Sequence, residues 1–240
     1  MTMKREELLT FAKIAEATYD EPDSNGIKKF KELGYSIQEF FDIKGAQAYL
    51  LKGDKDYVLS FRGTEVTEKS DIFADLEAGK NLEACGGKVH VGFKGEVNKL
   101  WPAIESSIDQ IDSLYVTGHS LGAAMATIAS SRIQSKVKAL ITFGSPRVGN
   151  GEFVDSLNVT HFRVQNNCDD VTKVPFRLMG FKHHGTHVYI DFNGEFKIYT
   201  TWKRIKDMIL SRLKARAKGE KFIGVFDHLM KNYISKLSNH

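Results

Sequence analysis

The chain has 240 residues, 42% of them hydrophobic, and a formal net charge of +4. That length and core content suit one α/β domain, and no stretch of about 18 apolar residues is present to form a transmembrane helix. The charge is uneven: residues 203–221 carry eight Lys or Arg against Asp207 and Glu220, leaving the body slightly acidic. That distribution weighs against nucleic acid as a partner.

In chain order, Met3 to Asp20 mixes Lys4, Arg5, Glu6, Glu7, Lys13 and Glu16 among apolar residues, unlike the uncharged core of a signal peptide. Leu8, Phe11, Ala12, Ala15 and Tyr19 recur at helical spacing and predict an amphipathic helix packed on the body. The expected location is therefore cytoplasmic, or outside the cell by another export route. Strands are predicted over 35–41, 47–51 and 57–61, followed by a polar loop with a short helical pattern at Ile72, Phe73 and Leu76. A long helix covers 94–111, bent or begun anew at Pro102. Next come a strand at Leu114–Val116, a small-residue helix from Ala123 to Ile133, and the strand Ala139–Phe143. A helix over 151–157, a strand at Phe162–Val164 and strands at 188–192 and 196–199 follow, then a basic helix over 203–218 and a last helix over 225–237. Apolar strands alternating with helices predict a mostly parallel sheet covered on both faces. With no repeat and no linker, residues 1–240 read as one domain. Cys85 and Cys168 lack metal-ligand spacing and read as buried thiols, with a single bridge as the other option.

Between the strand at Leu114–Val116 and the helix lies Gly118-His119-Ser120-Leu121-Gly122, a G-x-S-x-G sequence. In that context the serine sits on a strained strand-to-helix turn with its hydroxyl pushed out of the sheet. Glycine at 118 and 122 avoids collisions across the turn. A serine hydroxyl is a weak nucleophile, so it needs a base within hydrogen-bond reach and a third group to orient that base. Candidate acids after Ser120 are Asp155, Asp169, Asp170, Asp191 and Asp227, and candidate bases are His161, His183, His184, His187 and His228. Asp169 and Asp170 follow the β-like run Phe162–Gln165, which puts them at a strand's carboxyl end, where ligands gather in such sheets. His183, His184 and His187 also raise a metal site. If the first two share a strand they point to opposite faces, so structural histidines are preferred.

Four blocks carry a resemblance: Phe61-Arg62-Gly63-Thr64, Val89-His90-Val91-Gly92-Phe93, the serine block, and Thr142-Phe143-Gly144-Ser145-Pro146-Arg147-Val148-Gly149. In this order they resemble the class 3 lipases, over roughly residues 35–235. The resemblance implies an α/β-hydrolase fold and a serine carboxylester hydrolase of lipid or small acyl esters, with no metal or organic cofactor. Asn166-Asn167-Cys168-Asp169-Asp170-Val171-Thr172-Lys173-Val174-Pro175 is similar to the family's acid segment, and Asp227-His228-Leu229-Met230-Lys231-Asn232-Tyr233 to its histidine segment. The implied triad is Ser120, Asp169 and His228, with His183 or His184 left as the alternative base on residues alone. The implied oxyanion donors are the N–H of Leu121 and Thr64, although Thr64 as a loop or helix cap is also open. His187 stands where the family has Glu.

The resemblance also implies a lid, placed at about 65–88 around Ile72, Phe73 and Leu76, against the plainer reading of a static surface helix. Ile205, Met208, Ile209 and Leu213 give the basic helix an apolar stripe. The stripe suits docking on the body, or peripheral contact with an anionic lipid surface. A non-catalytic scaffold that binds lipid or a protein partner is the reading from another class. A peptide or thioester hydrolase would share the triad and differ only in its pocket.

Overall fold

The apolar runs form one sheet of eight strands: β1 (Ser36–Ile43), β2 (Ala46–Lys52), β3 (Tyr57–Phe61), β6 (Leu114–His119), β7 (Val137–Phe143), β8 (His161–Asn166), β9 (Thr186–Ile190) and β10 (Phe196–Lys197), adjacent in that order. A separate short ribbon pairs β4 (Lys80–Leu82) with β5 (Lys88–His90). The computed structural model describes residues 3–64, 79–83, 85–197, 201–217 and 223–238. Pairing is parallel from β3 through β9 and antiparallel at both edges. The central strands are covered on both faces, and all six residues of β8 are buried. This is the pattern that parallel crossovers impose.

The helices are α1 (Arg5–Ala17), α2 (Ser24–Glu32), α3 (Val91–Ser107), α4 (Leu121–Arg132), α5 (Gly151–Ser156), α6 (Thr201–Ala217), α7 (Ile223–His228) and α8 (Met230–Ser238). On one face, Phe93, Val97 and Leu100 of α3 and Met125 and Ile128 of α4 pack with Leu59, Val116 and Leu140. On the other, Leu8, Phe11 and Ile14 of α1 and Tyr233 and Leu237 of α8 pack with Val58, Ile141 and Val164. Each such fully buried side chain contributes roughly 1.5–3 kcal/mol of transfer free energy. Helix α4 is buried from Gly122 to Ser131. Its alanines let it lie close to the strands.

Several elements differ from the expectation. Helix α2 was not anticipated, because its polar sequence carries little beyond Ile27 and Phe30. It forms because Asp23 caps it, accepting from the N–H groups of Asn25 and Gly26 at 2.9 and 3.0 Å. The long helix α3 starts earlier, at Val91, where His90 Nδ1 accepts from Gly92 N–H at 3.2 Å, and it runs through Pro102 without restarting. The expected last helix is two helices, α7 and α8, broken at Leu229. His183 and His184 precede β9 rather than lying on it.

The basic helix docks by polar contacts and by only part of its apolar stripe, Ile205 and Met208 being half-buried. Asp207 accepts from Tyr189 Oη at 2.8 Å and from Asn167 Nδ2 at 3.1 Å, and Ser211 Oγ accepts from Asn167 Nδ2 at 2.9 Å. Trp202, Ile209 and Leu213 are left 81%, 54% and 60% exposed. Of the stretch read as a lid, residues 65–78, including Ile72, Phe73 and Leu76, lie outside the described residues. The ribbon that follows is pinned through buried Glu83, which pairs with Arg132 at 2.9 Å.

Candidate active site

Strand β6 ends at His119, and the chain turns into α4 through Ser120, whose backbone has φ 56° and ψ −125°. A side chain rarely tolerates that region. The turn holds because glycines let its two arms meet: a Cβ on Gly118 would stand 2.4 Å from Gly122 O, and one on Gly122 2.2 Å from Phe61 O. Leu121 opens α4, so its N–H belongs to the first turn, where a helix leaves donors without intrahelical partners.

Asp169 follows β8 in the loop leading to Val171, and His228 ends α7. That short helix is fixed against the acid loop by Asn166 Nδ2 donating to Asp227 O at 2.9 Å and Cys168 N–H donating to Asp227 Oδ2 at 3.1 Å. The result is a continuous chain. Ser120 Oγ and His228 Nε2 are 2.9 Å apart, and His228 Nδ1 lies 3.0 and 2.9 Å from the two oxygens of Asp169. A carboxylate accepts only, so Nδ1 carries the proton and Nε2 is free to accept from the serine. All three side chains are buried, Ser120 at 3% exposure and the other two at 0%. Asp169 also accepts from Val171 N–H at 2.9 Å and from Tyr233 Oη at 2.6 Å. Gly144, at φ 58°, gives this cluster room, since a Cβ there would lie 2.8 Å from the His228 ring.

His119 is a positioning partner of this cluster. Its Nε2 lies 2.8 Å from His228 O, an acceptor, so Nε2 is protonated and Nδ1 accepts from Tyr19 Oη at 2.8 Å. Burial, with His228 adding to it, pushes its pKa down to about 3, which keeps the ring neutral. Gly63 is required beside it, because a Cβ would fall 2.3 Å from Tyr19 Oη and 2.6 Å from His119 O.

Thr64 and Leu121 line one opening of about 490 Å³, together with Gln47, Arg62, Gly63 and Met125. Thr64 itself is exposed. The alternative bases lie elsewhere: His183 Nε2 donates to Thr172 O at 2.8 Å, and His184 Nδ1 meets His161 Nδ1 at 3.1 Å. Among the described residues no cluster of three or more His, Cys, Asp or Glu is arranged to hold a metal. Cys85 and Cys168 are both free thiols.

Reading the sequence suggested a packing or hydrogen-bonding role for His119, next to the nucleophile, but missed the roles of Tyr19 and Tyr233. Tyr233 stood within the histidine segment, five residues after His228 and one helical turn beyond the break, and that spacing was its only signal. Tyr19 had none, being separated from His119 by 100 residues.

Comparison with known proteins adds to this geometry. A Rhizopus niveus lipase is 30% identical over 211 residues, covering 78% of this chain and 51% of that protein. The chain thus spans about half the length of the curated relatives it matches. A fungal lipase–inhibitor complex, described as a model for interfacial activation, superposes with a TM-score of 0.75 at 23% identity over 97% of this chain and 95% of its own. A triacylglycerol lipase, described as having a serine protease triad as its catalytic centre, gives a TM-score of 0.69 at 24% identity over 82% and 83%. These two likenesses establish a shared fold. Residues 58–179, just over half of the sequence and including Ser120 and Asp169, match the family model described as lipase (class 3), and the chain belongs to the class 3 lipase family.

Proposed function

We propose that this protein is a serine carboxylester hydrolase acting on acyl esters of lipids. The observation that carries the reading is the unbroken hydrogen-bond chain Ser120–His228–Asp169 beneath a strained serine turn. Ser120 Oγ attacks the ester carbonyl as His228 Nε2 takes its proton. Asp169 stabilises the resulting imidazolium, itself held by Val171 N–H and Tyr233 Oη. The N–H of Leu121 and Thr64 stabilise the oxyanion, where charge develops in the transition state. The tetrahedral adduct collapses as His228 returns the proton to the leaving alcohol, giving an acyl-serine. Water then attacks that ester, its proton passing to His228 and back to Ser120, and the carboxylic acid leaves. Oxidation states are unchanged throughout, and no cofactor is called for.

A lipid substrate is supported by family membership and by the surface of α6. Trp202, Ile209 and Leu213 project from that helix among Lys203, Lys206, Arg212, Lys214 and Arg216. Such a face suits the headgroup region of an anionic bilayer. Changing Lys206, Arg212, Lys214 and Arg216 together to Gln is expected to lower binding to phosphatidylglycerol vesicles, by about a thousandfold if each cation contributes about 1 kcal/mol. Unchanged vesicle binding rules out α6 as the contact.

Fluorophosphonate labelling with peptide mapping tests the chemistry without a chosen substrate. The expected result is one adduct on Ser120, lost in His228→Ala and kept in His183→Ala. Since Ser120 is almost wholly covered, labelling is run with and without mild detergent. No label on folded protein in either condition would overturn the hydrolase reading in favour of a binding scaffold.

A further inference from the structure

His228 stands at the end of α7, a helix of six residues. The residues this helix buries are Gly224, Asp227 and His228, while its Phe226 is 56% exposed. So short a helix is not stable by itself, and no large apolar side chain is buried to hold it. Polar contacts therefore set where the base sits.

Those contacts run to the acid loop, and Asp227 makes two of them. Its carbonyl accepts from Asn166 Nδ2 at 2.9 Å, and its Oδ2 accepts from Cys168 N–H at 3.1 Å. Gly224 O accepts from Asp170 N–H at 3.4 Å. A Cβ on Gly224 would lie 1.9 Å from Asp170 Oδ2, so helix and loop are in close contact. Cys168 precedes the acid in the chain, and Asp227 precedes the base. Their hydrogen bond, together with that between His228 and Asp169, closes a ring through all four residues. Moving α7 off the loop breaks both bonds at once.

The other oxygen of Asp227 faces Lys236 of α8 at 3.9 Å. Tyr233 of α8, Tyr189 of β9 and the Cys168 thiol also lie within reach of its charge. Burial raises its pKa to about 6 against the opposing pull of Lys236 and Cys168 N–H, with Asp169 and Asp170 adding to the rise. A carboxylate accepts more strongly than a neutral carboxyl, so protonation loosens the tie.

We propose that Asp227 is a positioning residue for the base: its carboxylate, bonded to the peptide before Asp169, holds His228 in line with Ser120. The inference rests on the hydrolase reading above. Asp227 takes no part in proton transfer and acts through the backbone it shares with His228.

The test is hydrolysis of a soluble p-nitrophenyl ester by the full chain, alongside the rate of fluorophosphonate labelling at Ser120. Both are followed over the pH range in which circular dichroism shows the fold intact. Asp227→Ala removes the acceptor, and kcat and labelling rate are expected to fall by about 10- to 100-fold with KM unchanged. Asp227→Asn keeps one oxygen for Cys168 N–H and should regain about tenfold over Asp227→Ala. Towards acid pH, wild-type kcat should fall more steeply than one proton allows, because His228 must stay neutral and Asp227 ionised. In Asp227→Asn the slope should return to that of one proton. If Asp227→Ala does not fold, this slope decides. A folded Asp227→Ala with wild-type kcat, or Asp227→Asn with the wild-type acid slope, would overturn the role and leave the hydrolase reading standing. Wild-type protein that neither labels nor turns over ester would overturn both.

Discussion

Two buried polar clusters are built on β8 and the loop after it, and they are balanced in opposite ways. Around Asp169 each donor meets an acceptor: Val171 N–H, Tyr233 Oη and His228 Nδ1–H converge on one carboxylate, and His119 Nε2–H ends on His228 O. Around Arg163, among the described residues, no carboxylate pairs with the guanidinium, and Arg147 and Arg204 add their charge to its burial. The first cluster has its acceptor built in and holds one geometry. The second has no such carboxylate paired with Arg163 among the described residues. A low local dielectric raises the stakes for both, strengthening satisfied bonds and penalising stranded ones.

The sharpest way to break the first cluster is to remove one of the three groups proposed to react. Ser120→Ala, His228→Ala or Asp169→Asn is expected to lower ester turnover by about 10⁴-fold or more, with circular dichroism unchanged. The double variant Ser120→Ala/His228→Ala should lose little beyond the single ones, because the groups act as a unit. Additive losses would mean that the three do not form one relay.

Acid acts on both clusters, through His119 in the first and four imidazoles near Arg163 in the second. Burial leads in lowering the pKa of His119, His161, His183, His184 and His187, to about 3 for His119 and about 2 for His187. These rings stay neutral in the native state, while in the unfolded chain they protonate below their ordinary value of about 6.5. The unfolded state then binds more protons. Stability should be fully present above that pH and fall as pH drops, by up to about 1.4 kcal/mol per pH unit for each ring involved. Urea unfolding at pH 7.5, 6 and 5 measures the slope. A flat profile would mean that the rings are not held neutral. His187→Glu should flatten it in part.

Much of the first cluster was legible in the sequence and almost none of the second. Ser120 announces itself through local steric demands at Gly118 and Gly122, which no other residue meets. Asp169 and His228 became specific only through the segments around them, Asn166–Pro175 and Asp227–Tyr233. The alternation of strands and helices gave the parallel sheet for a physical reason, since buried strands must be apolar on both faces. What stayed hidden depends on tertiary proximity. A polar stretch capped by Asp23 carries too little hydrophobic period to read as α2. The apolar stripe of α6 gave only part of its docking face, because Asp207 and Ser211 found partners in Tyr189 and Asn167 that no local pattern reveals. His187 could be noted as a departure, but its meaning required knowing that Arg163 faces it across the strands.

Tyr233 offers a smaller perturbation. Its hydroxyl donates at 2.6 Å to the Asp169 oxygen that His228 also engages. Tyr233→Phe leaves the ring packing in place and removes one donor from a buried carboxylate. The expected cost is about 1–3 kcal/mol in stability. Turnover should fall by about tenfold with KM unchanged, since only the charge distribution behind His228 is altered. If both quantities hold steady, the hydroxyl is a passive lid on the carboxylate and not part of its support.

The mildest test reaches the cluster through the loop after α1, the helix that shares a sheet face with α8. Tyr19, just beyond α1, donates to His119 Nδ1, whose opposite nitrogen donates to the carbonyl of His228. Tyr19→Phe strands one buried acceptor and lets the His119 ring choose its other tautomer, which would turn a lone pair towards His228 O. The repulsion acts on the backbone of the base rather than on its ring, so the effect should be positional. A stability loss of about 1 kcal/mol and a turnover loss of a few-fold are expected. His119→Asn discriminates further, because an amide can donate to His228 O whichever way Tyr19 is substituted. If Tyr19→Phe lowers turnover in the wild-type background but not in the His119→Asn background, the tautomer of His119 is what α1 controls. Equal losses in both backgrounds would assign the effect to the packing of Tyr19 against Gly63 instead.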